Sequence, residues 1–203
     1  MKIFCVGRNK TGTTSLAKLF KNLNIPVASQ RPAELLFDDW KNHDFSRLTK
    51  MVKYGGVVFQ DVPFSLPNTY QVLYEAYPSS KFILTVRDSP EEWYTSLTSY
   101  HSKVFNNGKL PDKQALQNAN YVYKGWMWKM FSHIYKTPDH DLYNEKVLKN
   151  HYSDHNNEII DFFSDKPGKL LVVNLKDEDA ANRISRFLGL KKKIEKIPWE
   201  NKT

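Results

Sequence analysis

The chain lacks the features that would place it in several large classes. Among its 203 residues it has one cysteine, Cys5, which excludes an internal disulfide and a cysteine-based zinc site. Cys5 lies inside an apolar run and reads as a small buried side chain, not a reactive thiol. No apolar run is long enough to span a bilayer. No signal peptide is visible: Met1-Lys2 leads straight into Ile3-Phe4-Cys5-Val6, too short for an h-region, and then into a glycine loop. The expected compartment is the cytoplasm. There is no internal repeat, no low-complexity segment and no linker, so residues 1–203 are expected to form a single domain. No nucleic-acid-binding module is recognisable, and nucleic acid is not an expected partner.

What is present is the profile of a globular protein. Hydrophobic residues make up 40%, aromatics 14% and charged residues 26%. Thirty Lys and Arg against 22 Asp and Glu give a net charge of +8. That is either a solvated basic surface or a field for polyanions.

The chain opens with a strand at residues 3–6, a loop at residues 7–14, and a helix at residues 14–23 with Leu16, Leu19, Phe20 and Leu23 on one face. Residues 25–28 are expected to add a short strand. Residues 57–59 form another strand, ending at Gln60-Asp61. A helix follows at residues 68–76, then a strand at 82–86 ending at Arg87-Asp88. Ser89-Pro90-Glu91-Glu92 is a helix start, with a capping residue, a first-turn proline and early acids. Residues 112–163 are mostly helical with a break at Pro138. A last strand at 170–173 precedes a helix at 177–188 closed by Gly189. Apolar strands alternating with helices imply an α/β fold in three layers, a central parallel sheet flanked by helices. Ligands in such folds bind at the carboxyl ends of the strands. Gly7–Ser15, Gln60-Asp61 and Arg87-Asp88 all fall there.

The most informative stretch is Gly7-Arg8-Asn9-Lys10-Thr11-Gly12-Thr13-Thr14-Ser15-Leu16. Backbone N–H groups in a glycine loop that opens a helix make an anion cradle. Gly7 and Gly12 have the spacing of a Walker A loop, but the position after the second glycine is Thr13, and the lysine is displaced to Lys10. A lysine that early suits a donor with one transferring group beyond its 5′-phosphate. Lys-Thr-Gly-Thr-Thr after a first strand resembles the 5′-phosphosulfate loop of the sulfotransferases that use 3′-phosphoadenosine 5′-phosphosulfate (PAPS), most closely their small bacterial-type branch with its P-loop fold.

Two further segments carry the same resemblance. Residues 81–96 end a strand with Arg87-Asp88, reach Pro90, and enter a helix bearing Ser96, which is similar to the family's second signature. The resemblance implies that Arg87 and Ser96 hold the 3′-phosphate, and a guanidinium is suited to bidentate phosphate binding. Ser89 is an extra residue relative to the commonest form. Gln60-Asp61-Val62-Pro63 occupies the place where cytosolic members carry a catalytic histidine, so Asp61 is the candidate base. The same aspartate also fits a helix cap or a Walker-B-like magnesium ligand. The segments 169–175, 186–190 and 198–201 resemble the family's ending. The Arg-Lys-Gly loop of the cytosolic enzymes is missing, and Lys191-Lys192-Lys193 reads as a solvated charge run.

The resemblance implies a transferase that moves a sulfuryl group from PAPS to a hydroxyl or amine of a small-molecule or glycan acceptor, leaving adenosine 3′,5′-bisphosphate. Its catalytic residues would be Lys10 and Asp61. Its nucleotide-binding residues would be Lys10, Thr11, Gly12, Thr13, Thr14, Ser15, Arg87 and Ser96, with no metal required. The alternatives are a P-loop kinase using ATP and magnesium, and a non-catalytic nucleotide-binding module. His151 and His155 flank Asp154 but lack a third ligand, and read as a polar helix face. The aromatic run Tyr121, Tyr123, Trp126, Trp128, Phe131 and Tyr135 is expected to split between core and acceptor pocket.

Overall fold

The computed structural model describes residues 1–190, Ile194, Ile197 and Pro198. Lys191-Lys192-Lys193, and all of the 198–201 segment except Pro198, lie outside the described residues. The chain divides into two compact units. One is Met1–Arg87 together with the chain from Asn156 onward; the other is Asp88–His155.

The first unit is built on four parallel strands: β1 (Ile3–Cys5), β2 (Val58–Gln60), β3 (Lys81–Val86) and β4 (Leu170–Asn174), in the order β2-β1-β3-β4. Ile3 pairs with both Val58 and Lys81, and Phe82 pairs with Leu170. Because side chains alternate across a strand, β1 and β3 each send apolar groups to both faces. Ile3, Cys5 and Ile83 meet Leu16, Leu19 and Phe20 of α1 (Thr13–Asn22), and Ile184 and Leu188 of the C-terminal helix Ala180–Leu188. Phe4, Phe82 and Leu84 face the other way. They meet Leu48 and Val52 of the helix Ser46–Tyr54, Tyr70 and Leu73 of the helix Thr69–Ala76, and Ile159 and Phe163. The layers are helix, sheet, helix, as the apolar strands require. Gly189 closes the C-terminal helix with φ 64°, the left-handed conformation that favours glycine.

The expected strand at residues 25–28 reduces to one parallel bridge, Val27 to Val58. Pro26 has no N–H to give a ladder; its carbonyl instead accepts from Val57 at 2.8 Å and Val58 at 3.0 Å. The bridge leads into a short helix, α2 (Gln30–Glu34), that the sequence pattern did not disclose.

The second unit contains α3 (Pro90–Phe105), two helices at Lys113–Asn118 and Trp126–Tyr135, and the first part of the helix Glu145–Phe163. Aromatic packing holds it together: Trp93 stacks on Tyr152 with centroids 4.9 Å apart, and Phe131 packs on Tyr143 at 5.0 Å. His101 Nδ1 and the Tyr143 hydroxyl share a hydrogen bond of 2.8 Å. Among the described residues no helix is long and apolar enough to cross a membrane.

Candidate active site

In the first unit the connection from β2 to β3 passes over β1, so strand order reverses between β1 and β3. Their carboxyl ends are therefore the expected ligand crevice. The glycine loop leaves β1 at this point and Arg87 follows β3.

The loop is held by its own side chains. Arg8 is buried, and its Nη1 donates to the Ser65 carbonyl at 2.8 Å. The Thr11 hydroxyl donates to the Arg8 carbonyl at 2.6 Å, so the hydrogen bond between Thr11 Oγ1 and Thr85 Oγ1, also 2.6 Å, is donated by Thr85. Gly7 lies against Thr85 so closely that a Cβ would meet Thr85 Oγ1 at 2.3 Å. Gly12 caps α1 in the left-handed region, φ 96°, and no side chain caps this helix. The first turn of α1 holds no acidic residue. Thr13 and Ser15 are buried and Thr14 is exposed. A helix start built from Gly12, Thr13, Thr14 and Ser15, with no carboxylate, is electrostatically suited to an anion.

Lys10 sits in the same loop with φ 69°. Burial pushes its ammonium down to about 8, the Arg87 charge adds to that, and Asp61 works against it. Arg87 Nε donates to the Lys10 carbonyl at 2.7 Å. Asp61, half-buried at the end of β2, has φ 59°. Burial raises its carboxyl above the ordinary range, opposed by the Val62 N–H, Arg8, a hydrogen bond from Gln30 and the Lys10 charge. Lys10, Asp61, Arg87 and the residues from Thr11 to Ser15 thus gather in the first unit.

Ser96 belongs to α3 of the second unit, where its side chain is 4% exposed. The extra residue Ser89 is the N-cap of α3: its Oγ accepts from the Glu92 N–H at 3.2 Å, and Pro90 follows in the first turn. In the aromatic run, Trp126, Phe131 and Tyr135 are buried in the second unit, whereas Tyr123 is exposed. Trp128 receives Lys113 Nζ at 4.9 Å from its ring. Tyr94, Thr98, Ser102, Lys103 and Leu110 line a shallow groove in this unit. His155 is buried and the His151 ring lies 4.9 Å from Tyr135. Among the described residues no group of three or more His, Cys, Asp or Glu could hold a metal ion.

Sequence reasoning missed Arg8, Gln30 and Glu34. Arg8 lay inside the quoted motif without a role. Gln30 and Glu34 carry no spacing signal toward Asp61; the Val27–Val58 bridge and the packing of Ala33 in the same core as Phe59 bring α2 to β2.

The sulfotransferase domain family matches residues 2–203, across both units. The chain belongs to this family. The match does not favour a kinase that uses ATP and magnesium. No curated protein matches the chain significantly. A sulfotransferase moves a sulfuryl group, and the chemistry at the strand ends can be weighed against that reaction.

Proposed function

We propose that this sulfotransferase takes its sulfuryl group from PAPS and gives it to a hydroxyl or amine of a small-molecule or glycan acceptor. Residues 1–203 act as one sulfotransferase domain, a reading that the unbroken family match supports. The observation that carries the proposal is the placement of Lys10 beside Asp61 at an uncapped helix start, with the lysine pushed down and the carboxyl pushed up.

In this reading the backbone N–H groups of residues 11–15, with the Thr13 and Thr14 hydroxyls, hold the 5′-phosphate of the donor. Arg87 and Ser96 hold its 3′-phosphate. The segment from Ser99 to Asp141 receives the acceptor. Asp61 accepts the acceptor proton as the acceptor oxygen bonds to sulfur, and the bond from sulfur to the bridging phosphate oxygen breaks. Lys10 stabilises the negative charge that grows on that oxygen, and adenosine 3′,5′-bisphosphate leaves. Catalysis is then positioning plus electrostatics. The transferred group carries one charge, so the reaction needs no magnesium in principle.

The test is calorimetric titration with adenosine 3′,5′-bisphosphate, with AMP and ATP–magnesium as controls. Tight binding that depends on the 3′-phosphate and disappears in Arg87→Ala is the expected result. Preference for ATP–magnesium overturns it. Donor binding with no turnover of any acceptor, unchanged by Asp61→Asn, indicates a binding module instead.

A further inference from the structure

A line of hydrogen bonds crosses the strand ends of the first unit, from β3 to the turn after β2. The Thr85 hydroxyl donates to Thr11 Oγ1 at 2.6 Å, and the Thr11 hydroxyl donates to the Arg8 carbonyl at 2.6 Å. Arg8 continues the line through its side chain, whose Nη1 donates to the Ser65 carbonyl at 2.8 Å. The Ser65 N–H donates in turn to the Asp61 carbonyl at 2.9 Å. Thr85, Thr11, Arg8 and Ser65 are all buried, so bulk water does not compete for these bonds. Arg8 is the joint: its backbone is tied toward β3 and its guanidinium toward the turn that carries Asp61. A buried guanidinium is a costly way to fill space, and its planar fork fixes direction as well as distance.

From this geometry we infer that Arg8 is a positioning residue for Asp61: its guanidinium ties the glycine loop to the turn at residues 61–65, so that the loop for the sulfuryl donor and the base are held as one body. The inference rests on the reading of Asp61 as the base. Asp61 needs such a hold, because its φ of 59° is a conformation that surroundings must impose on a residue other than glycine. The Ser65 N–H closes the turn on Asp61, and the Ser65 carbonyl is the atom that Arg8 grips. Removing the Arg8 side chain leaves the loop itself tied, since the bonds from Thr85 to Thr11 and from Thr11 to the Arg8 backbone remain. Its loss should therefore fall on the base and spare the binding of the sulfuryl donor.

The experiment is a double-mutant cycle of Arg8→Met and Asp61→Asn in the full chain, with amide hydrogen exchange followed by NMR. Arg8→Met removes the fork at similar length. The Ser65 amide should then exchange about tenfold faster or more, while the Val6 amide, bonded to the Ile83 carbonyl at 2.9 Å in the sheet, keeps its protection. In the parent background kcat should fall by about 10- to 100-fold, the loss of one hydrogen bond from a charged group, with the KM for the sulfuryl donor unchanged. In the Asp61→Asn background the same substitution should cost little further kcat, because the group it positions is already gone. A merely structural Arg8 would lose the same factor in both backgrounds, and that result overturns the inference, as does an unchanged Ser65 amide. Arg8→Lys keeps a charge and one N–H for Ser65 without the fork, so its kcat should lie between those of the parent and Arg8→Met. It carries the same cycle if Arg8→Met does not fold. A loosened Ser65 amide together with an Asp61→Asn that turns over as the parent does would uphold the tie and count against Asp61 as the base instead.

Discussion

The Nε of Arg87 donates a 2.7 Å hydrogen bond to the backbone carbonyl of Lys10. The residue proposed to read the 3′-phosphate therefore also braces the loop that carries the proposed catalytic lysine. A left-handed lysine, φ 69°, needs such bracing, because non-glycine residues adopt this conformation only when their surroundings impose it.

Substitution of Arg87 should accordingly affect kcat as well as donor affinity. Arg87→Lys keeps a charge near the phosphate but loses the fixed Nε donor. We expect kcat to fall by about 10- to 100-fold, the range for losing a charge-assisted hydrogen bond. Arg87→Ala should in addition erase the preference for adenosine 3′,5′-bisphosphate over AMP. Calorimetry with both nucleotides decides the matter: an equal loss for the two ligands would make Arg87 a loop brace only.

Lys10 gives the alkaline limb of the pH profile. Its folded value, about 8, lies below the ordinary 10.5, so the free protein loses this positive charge as pH rises through about 8. kcat/KM for the donor should fall there, while the anionic donor, once bound, should hold the proton and displace the limb of kcat upward. Lys10→Ala should lower kcat by about 10²- to 10³-fold. Lys10→Arg, always charged, should remove the alkaline limb whatever its rate. An unchanged limb in Lys10→Arg would assign the titration elsewhere.

The same depressed value has a sign for stability. Between about 8 and 10.5 the unfolded chain holds the lysine proton and the folded chain does not, so this group makes stability rise with pH across that window. Below about 8 the buried charge is a penalty. Lys10→Met should therefore stabilise the fold at pH 7 by about 1–2 kcal/mol, after allowance for the water that still reaches the side chain, and so raise the thermal midpoint there. Thermal melts at pH 7 and pH 10 test this, and a lower midpoint at pH 7 would contradict it.

Gly7→Ala should fail for a steric reason. The new Cβ would lie 2.5 Å from the Thr85 carbonyl oxygen and 2.8 Å from its nitrogen, and strand backbone cannot yield as a side chain can. We expect about 3 kcal/mol of destabilisation, or a midpoint lower by roughly 6–12 °C. A midpoint within one or two degrees of the parent would show that β1 and β3 can separate at this point.

The contrast between what the sequence disclosed and what it hid follows from range. Gly7, Lys10 and Gly12 announce themselves because a loop and the helix it opens are contiguous, and Ile3–Cys5 reads as a strand because its burial is continuous. Ser89 and Pro90 mark the start of α3 for the same local reason. Residues 30–54 fold into three short helices, of which only Ser46–Tyr54 exceeds five residues, too short for a 3.6-residue period to stand out. The approach of α2 to β2 stayed invisible because it depends on the Val27–Val58 bridge and on Ala33 packing in one core with Phe59, contacts distant in sequence and not a pattern. Thr11 was expected at the nucleotide through its backbone N–H, and its side chain ties the loop to Thr85, a long-range contact that no local pattern could announce.

Asp61 offers the most discriminating substitution. Its φ of 59° is tolerated by aspartate and asparagine better than by alanine, so Asp61→Asn leaves the backbone unstrained while Asp61→Ala would not. Asparagine also keeps an oxygen for the Val62 N–H and Gln30, which now donate to a neutral group. The variant should fold and bind adenosine 3′,5′-bisphosphate as the parent does. Its kcat should fall by about 10²- to 10⁴-fold, the size of a general-base contribution, and the acid limb of the profile should vanish with it. Because burial raises the Asp61 carboxyl, that limb in the parent should lie above the ordinary carboxylate range. An acid limb that survives in Asp61→Asn would assign the base to another group, and a donor affinity that collapses along with kcat would make Asp61 part of the loop's support, not of its chemistry.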